Sequence, residues 1–268
     1  MKDDHHSSDE LTEEEFIELV LEEQQEALRK ARLEKDAPKP KRPFPRWTFW
    51  IMALVLTFST FSAIFEVYSI PAIEFLKTSA KLSQDEEIAD FKKSVVVVTT
   101  DDGKGTGFSI TSDGKIITNY HVIEGNNRVI VTFPDDGRFT ATVVDTFPTI
   151  DLAVLQVDGK NLPFLTVADE IDFSTEAPIR FIGNPLSFHG IANEGTLLDF
   201  TQLSDWDKEV MMIQAPVYRG NSGSPVFNQN GDVIGVIFAT MTDHTYGKIG
   251  LVVPIEYFHQ AHEKPGEE

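Results

Sequence analysis

The chain is 268 residues long and carries 43 Asp and Glu against 23 Lys and Arg, a formal net charge of −20. That length suits one domain of ordinary size plus additional segments, and the acidic balance argues against nucleic acid as a partner, because backbone phosphates are bound by Lys and Arg. There is no cysteine, which excludes disulfides, iron–sulfur clusters, thiolate zinc sites and a cysteine nucleophile.

Residues 1–36 hold a dense run of Asp and Glu, in which Thr12 and Glu15 match a capping box. Phe16, Ile17, Val20, Leu21 and Leu28 follow at near-helical spacing. The pattern predicts an acidic helix with one apolar stripe, either a docking helix for a cytoplasmic partner or a solvated tail. Pro38, Pro40, Pro43 and Pro45 end it, since proline lacks the N–H donor and clashes with the preceding turn. Lys39, Lys41, Arg42 and Arg46 are interleaved with them, so residues 1–46 read as an acidic helix followed by a stiff basic linker.

From Trp47 to Phe65 there is no charge. As a helix this run would be about 28 Å long, close to the roughly 30 Å hydrocarbon core of a bilayer. Trp47, Trp50 and Tyr68 fall near its ends, where amphipathic rings favour the interface. A transmembrane helix over 47–65 is expected, with a buried core helix as the alternative. The basic cluster before the span places the N-terminus in the cytoplasm and the chain after about residue 66 outside. A cleaved signal peptide competes with this reading, but the acidic leader, the length of the apolar run and the lack of a small-residue cleavage site oppose it. Residues 66–88 read as a juxtamembrane connector.

Residues 89–262 read as one domain of short strands, with 263–268 a tail. Runs rich in β-branched residues occur at 95–98, 106–110, 115–118, 129–133, 141–144, 152–157 and 233–238. Asp113-Gly114, Asp136-Gly137 and Asn230-Gly231 supply tight turns between them. No long helical pattern interrupts them before Pro254, which indicates an all-β barrel or sandwich.

Three short stretches carry chemistry. In Gly220-Asn221-Ser222-Gly223-Ser224, glycines flank a serine; they permit a tight turn and close approach of a substrate backbone. His121 directly follows a strand in Thr118-Asn119-Tyr120-His121-Val122. Asp151 heads the apolar run Leu152-Ala153-Val154-Leu155. Separately, each has a plain structural explanation: a β-turn, a satisfied histidine, the end of a turn. Together, in the order His, Asp, Ser within an all-β chain, they are much harder to explain that way.

The segment from Gly105-Thr106-Gly107-Phe108-Ser109-Ile110 to Asn119-Tyr120-His121-Val122 resembles the histidine region of the HtrA/Deg branch of trypsin-like serine proteases. Asp151-Leu152-Ala153-Val154-Leu155, Ile182-Gly183-Asn184-Pro185, Gly220-Asn221-Ser222-Gly223 and Ile249-Gly250-Leu251-Val252-Val253-Pro254 resemble four further landmarks of that family, in order. The resemblance runs from about residue 88 to 258. It implies two six-stranded antiparallel β-barrels with a cleft between them, and hydrolysis of polypeptide substrates through an acyl-enzyme. By resemblance, Ser222 is the nucleophile, His121 the general base and acid, and Asp151 the residue that fixes the imidazole tautomer. The N–H groups of Gly220 and Ser222 would form the oxyanion hole, with Asn221 assisting its geometry. Pro216 would lie near the base of the primary specificity pocket and Ile237, Phe238 and Ala239 along its wall, favouring a small or medium apolar side chain. No metal or organic cofactor is implied, and His5, His6, His189, His244, His259 and His262 lack metal-ligand spacing.

The sequence departs from the family in several places. Ser224-Pro225 stands where a second glycine is usual after Gly223. Asn221 replaces the aspartate with which digestive trypsins bind a newly cleaved N-terminus, so activation of that kind is not expected. The chain ends soon after Tyr257-Phe258, leaving no room for the PDZ domains of HtrA proteins, and Asp101-Asp102-Gly103-Lys104 is a short first loop. Large-cage assembly and PDZ-gated control are therefore not expected, while a homo-oligomer stays open. The Asn184–Glu194 loop is the candidate for activity control. The leading expectation is a membrane-anchored endopeptidase acting on exposed or misfolded extracytoplasmic proteins. Its rivals are a catalytically idle peptide-binding sensor and a membrane signalling protein that works through its acidic helix.

Overall fold

The computed structural model describes residues 13–36, 45–185, 188–204 and 206–262. Thr12 of the expected capping box, residues 37–44 of the basic linker and the tail 263–268 lie outside the described residues. The chain divides into two compact units, residues 1–63 and 64–268.

The first unit contains α1 (Glu13–Asp36) and the opening of α2 (Arg46–Leu82). The apolar stripe of α1 is uncovered: Phe16, Ile17, Leu21 and Leu28 are all more than half exposed. In α2, Trp47, Phe49, Trp50, Leu54, Leu56, Phe58 and Phe61 are likewise exposed. Among the described residues no helix is long and apolar enough to cross a membrane. The run 47–65 lies within α2, and the side chains of residues 62–72 fall outside the description.

The second unit holds the rest of α2, then α3 (Glu86–Ser94) and twelve strands. Helix therefore occupies most of the stretch read as a connector. Asp85 caps α3, its carboxylate accepting the Glu87 N–H at 3.0 Å. Ile88 is fully buried, Phe91 stacks on Phe227 at 4.8 Å, and Arg180 pairs with Asp85 and Glu87. Together these fasten α3 to the barrels.

The strands are β1 (Val95–Thr99), β2 (Lys104–Ser109), β3 (Lys115–Thr118), β4 (Arg128–Phe133), β5 (Gly137–Phe147) and β6 (Leu152–Val157), with a short helix α4 (Tyr120–Ile123) after β3. They close as β1-β2-β3-β6-β5-β4, all neighbours antiparallel. The second set is β7 (Pro178–Gly183), β8 (Ile191–Thr201), β9 (Val210–Gln214), β10 (Ser224–Phe227), β11 (Val233–Asp243) and β12 (Gly247–Pro254), followed by α5 (Ile255–His262). It closes as β10-β11-β12-β9-β8-β7, also antiparallel. Two six-stranded barrels are thus the fold, as expected, and closure removes free strand edges.

The alternating burial of Val129, Val131 and Phe133 in β4 follows the strand's period of two. β3 and β6 are buried almost continuously, because one face fills their own barrel and the other meets its neighbour. One core cluster includes Phe108, Ile117, Leu152 and Val154 of the first barrel together with Phe181, Ile213, Val226 and Phe227 of the second. Each such side chain contributes about 1.5–3 kcal/mol by leaving water, so burial shared across the seam helps hold the two barrels together. Pro225 sits in β10 opposite Val236, before the first β7 partner at Val226, so its missing N–H falls outside the β7 ladder.

Candidate active site

Asp151 follows a 3-10 turn at Pro148–Ile150 and lies in the left-handed backbone region, φ +50°. Asp and Asn tolerate this region better than most residues, because a short polar side chain can bond locally. The Asp151 N–H donates to the Pro148 carbonyl at 3.2 Å, and four further interactions hold it there. Its carbonyl accepts the Tyr120 N–H at 3.1 Å and the Asn119 Nδ2 amide at 2.9 Å. Its carboxylate accepts the His121 N–H at 2.9 Å through Oδ1 and meets His121 Nδ1 at 2.7 Å through Oδ2. The carboxylate therefore grips both the backbone and the ring of His121, leaving Nε2 as the free ring nitrogen. The Asp151 side chain is 12% exposed and that of His121 44%, so the pair is buried at one end and open at the other.

Ser222 lies in the turn before β10. Gly220 and Gly223 there adopt φ +97° and +87°, values that favour glycine. A Cβ on Gly223 would sit 1.8 Å from the Thr106 carbonyl oxygen, so only glycine fits. The turn is closed by Asn221 N–H donating to the Tyr218 carbonyl at 3.1 Å, Gly223 N–H to Ile237 at 2.8 Å and Ser224 N–H to Asn221 at 2.9 Å. Among the described residues, the N–H groups of Gly220 and Ser222 have no hydrogen-bond partner. The Asn221 N–H is engaged within the turn, so it shapes the turn and is not a free donor. The Asn221 side chain is fully buried, and its amide atoms have no hydrogen-bond partner.

His121, Val122, Gly220 and Ser222 line one cavity of about 280 Å³ together with Lys104 and Arg219. The hydroxyl of Ser222 donates to the Phe238 carbonyl at 3.2 Å. Among the described residues no hydrogen bond joins it to the imidazole. Phe238 is the residue skipped where the β11–β12 register slips between Ile237 and Ala239, and such a bulge re-aims the local backbone. The structure thus unites His121 and Asp151 directly, and brings Ser222 into their cleft with its hydroxyl turned to the β11 backbone.

A second cavity of about 340 Å³ adjoins Ser222 and is lined by Val217, Tyr218, Ile237, Phe238, Ala239, Thr240, Arg219 and Lys248. Ile237, Phe238 and Ala239 are thus in the lining expected for them. Pro216 is not; the neighbouring Val217 and Tyr218 take that place, one and two positions further along. Among the described residues no carboxylate lines this cavity.

Thr106 has a role that its place in the Gly105–Ile110 motif does not reveal. It is fully buried and clasps the Gly220–Gly223 turn to the first barrel. Its N–H donates to the Ser222 carbonyl at 2.8 Å and its hydroxyl to the Gly220 carbonyl at 2.7 Å. The same hydroxyl accepts the Asn184 N–H at 3.0 Å, while Asn184 Nδ2 donates to Val96 at 2.9 Å and Asn184 Oδ1 accepts the Gly190 N–H at 2.9 Å. The stretch expected as a loop from Asn184 to Glu194 is a connection only as far as Gly190, because Ile191–Glu194 open β8; its residues 186–187 lie outside the description, and Asn184 is tied through Thr106 to the backbone on both sides of Asn221. Among the described residues no cluster of His, Asp and Glu is arranged to hold a metal ion.

The model of the trypsin-like peptidase domain matches residues 105–236. Curated relatives include a probable periplasmic DegP-like serine endoprotease of Pseudomonas putida, 36% identical over 156 residues, or 57% of this chain and 32% of the relative. A probable periplasmic DegP-like serine endoprotease of Chlamydia muridarum is 34% identical over 155 residues, 56% of this chain and 31% of the relative. The chain thus spans about a third of the length of the curated relatives it matches. Among solved structures, the Rv3671c protease in its inactive form is 31% identical with a TM-score of 0.60, covering 69% of this chain and 95% of that one. The HtrA-type protease AlgW with a tripeptide is 26% identical with a TM-score of 0.60, covering 66% of this chain and 61% of that one. With two closed barrels, a His–Asp pair facing a glycine-flanked serine, and this set of relatives, the chain belongs to the HtrA-like, trypsin-type serine proteases.

Proposed function

We propose that this protein is a membrane-anchored serine endopeptidase that hydrolyses exposed or misfolded extracytoplasmic polypeptides through an acyl-enzyme. The observation that carries the reading is the grip of Asp151 on His121: a carboxylate bonded to Nδ1 at 2.7 Å fixes the tautomer whose Nε2 can take a proton. Ser222 is the nucleophile in this reading. Rotation of its hydroxyl off the Phe238 carbonyl and toward Nε2, when substrate enters, would complete the triad. The N–H groups of Gly220 and Ser222 would stabilise the oxyanion, and they lack competing partners among the described residues. One such donor is worth about 2.7–4 kcal/mol of transition-state stabilisation. The cavity lined by Val217, Ile237 and Ala239 suits a small or medium apolar side chain.

Membrane anchoring is supported by the uncharged run 47–65, its basic flank and the uncovered apolar residues from Trp47 to Phe61. Positive residues before the run favour a cytoplasmic N-terminus and an outer protease domain, and the periplasmic relatives agree with that side. The decisive experiment is fluorophosphonate labelling of the full-length protein beside Ser222→Ala. Labelling of the wild type alone is expected; an unlabelled wild type would assign the cleft to peptide binding without catalysis. Retention of the protein in membranes through alkaline carbonate washing tests the anchor, and release into the wash would refute it.

A further inference from the structure

In the final turns of α2 only a narrow face is buried. Phe75 is 7% exposed and Ser79, one turn later, 5%, whereas Ile73 and Leu76 beside them are 44% and 37% exposed. Phe75 and Ser79 are four apart and share one side of the helix. What they touch is close to the nucleophile turn. The Phe75 ring meets Tyr218 edge-on, with centroids 4.9 Å apart and planes at 78°. The Tyr218 carbonyl accepts the Asn221 N–H, the bond that closes the turn between the unpaired donors of Gly220 and Ser222. Ser79 Oγ accepts the N–H of Ala192, and the Phe75 carbonyl accepts from Asn193 Nδ2 at 3.5 Å. Ala192 pairs with Ile182 in β7, next to Gly183, whose missing side chain makes room for Asn221 and Ser224.

We propose that Phe75 is a positioning residue for the hydrolytic reaction: its ring fixes Tyr218, and through Tyr218 the turn that aims the Gly220 and Ser222 N–H groups at the substrate carbonyl. The inference rests on the proposed role of those two donors. The physical argument is one of freedom. Tyr218 is half-buried at the edge of the second cavity, and among the described residues the other group over its ring is a lysine, Lys248 Nζ, 5.2 Å from the centroid. An exposed cation–π contact of that kind is worth only about 0.5–1 kcal/mol. An edge-on aromatic contact adds about 0.5–1.5 kcal/mol beyond area burial and prefers a defined geometry. Remove the Phe75 ring and Tyr218 gains room to move, carrying with it the carbonyl on which the turn closes. Small misplacements at a reacting centre cost rate steeply, while the apolar pocket that binds the substrate side chain keeps Ile237 and Ala239 in place.

The test uses the full-length protein in detergent and the time course of fluorophosphonate labelling at Ser222, separated into a maximal inactivation rate and a half-saturating concentration. Phe75→Ala and Phe75→Leu are compared with Ile88→Ala, which opens the core under α3, away from the turn. Both Phe75 variants are expected to lower the maximal rate about ten- to a hundredfold and to leave the half-saturating concentration within about twofold, with Ile88→Ala lowering thermal stability alone. The double variant Phe75→Ala/Tyr218→Ala should label no more slowly than Tyr218→Ala, because coupled residues are not additive. If both Phe75 variants label at the wild-type rate and differ only in melting temperature, Phe75 fills space and the proposal is overturned. A wild type that does not label at all would instead overturn the endopeptidase reading beneath it.

Discussion

Replacing Thr106 by Val keeps the volume and branching of the side chain but removes one hydroxyl. That hydroxyl donates to the Gly220 carbonyl at 2.7 Å and accepts the Asn184 N–H at 3.0 Å. Each lost bond costs about 0.5–1.5 kcal/mol net, and a buried N–H left unpaired costs about 1–3 kcal/mol. Thr106 is fully buried and Asn184 is 7% exposed, so water cannot readily replace the hydroxyl at Asn184. Gly220 is only partly buried, so water can recover part of the loss at its carbonyl. The sum is about 2–4 kcal/mol, or a fall in melting temperature on the order of 5–15 °C for a domain of this size. The catalytic effect is separate. Gly220 sits at φ +97° with its carbonyl pinned by Thr106, which fixes the Gly220–Asn221 peptide plane beside the Gly220 N–H. Without the pin that peptide can rotate and displace the neighbouring N–H groups, an effect bounded by the roughly 10²–10³-fold cost of losing one oxyanion donor outright. Differential scanning calorimetry gives the first quantity, and the fluorophosphonate labelling rate of the folded protein gives the second. Unchanged melting would show that the hydroxyl bridge does not exist. Lowered melting with an unchanged labelling rate would show that the bridge holds the barrels together and not the donor.

Further outcomes follow from the same geometry. Asp151→Asn should fold, since Asn also tolerates the left-handed backbone at that position. Its single carbonyl oxygen can serve the His121 N–H only by placing the amide against Nδ1, which moves the ring proton to Nε2 and should cut turnover on a peptide by about 10⁴; a smaller loss than tenfold would remove Asp151 from the mechanism. Gly183→Ala should abolish labelling of Ser222, because the new Cβ would lie 2.2 Å from Ser224 Oγ and 2.4 Å from Asn221 Oδ1, both fully buried. A normal labelling rate there would mean the nucleophile turn is far more plastic than its packing indicates. Lys104, Arg219 and one carboxylate, Asp102, line the cleft, and Arg219 and Lys248 the adjoining cavity, which leaves positive charge in excess. Among paired peptides differing only in flanking charge, those with Asp or Glu beside the cut should be cleaved faster at low salt, and Arg219→Glu should reverse the order. The idea fails if the ranking is indifferent to both salt and substitution.

The sequence alone was enough for whatever depends on neighbours along the chain. Val95–Val98, Val129–Phe133 and Leu152–Val157 announce strands because β-branched and apolar residues recur over a few positions, and Asp113-Gly114 and Asn230-Gly231 announce turns because few residues reach their backbone angles. The strands at 178–183, 191–201, 210–214, 224–227 and 247–254 carry a weaker local signal. Ile191–Thr201 mixes small, acidic and apolar residues and slips register between Leu197 and Phe200, so its alternation is broken, and Ser224-Pro225 opens a strand with a residue that cannot donate. The His, Asp and Ser motifs were legible because glycine spacing and residue type are local properties. Their arrangement was not. The carboxylate's double hold on His121, the left-handed backbone at Asp151 and the Ser222 hydroxyl on a β11 carbonyl arise where separate strands meet. Thr106 binds a carbonyl 114 positions away, and Phe75 lies against a tyrosine in another element. Such bonds form only because two closed barrels and a helix bring those groups together, and no periodicity within a single segment encodes them.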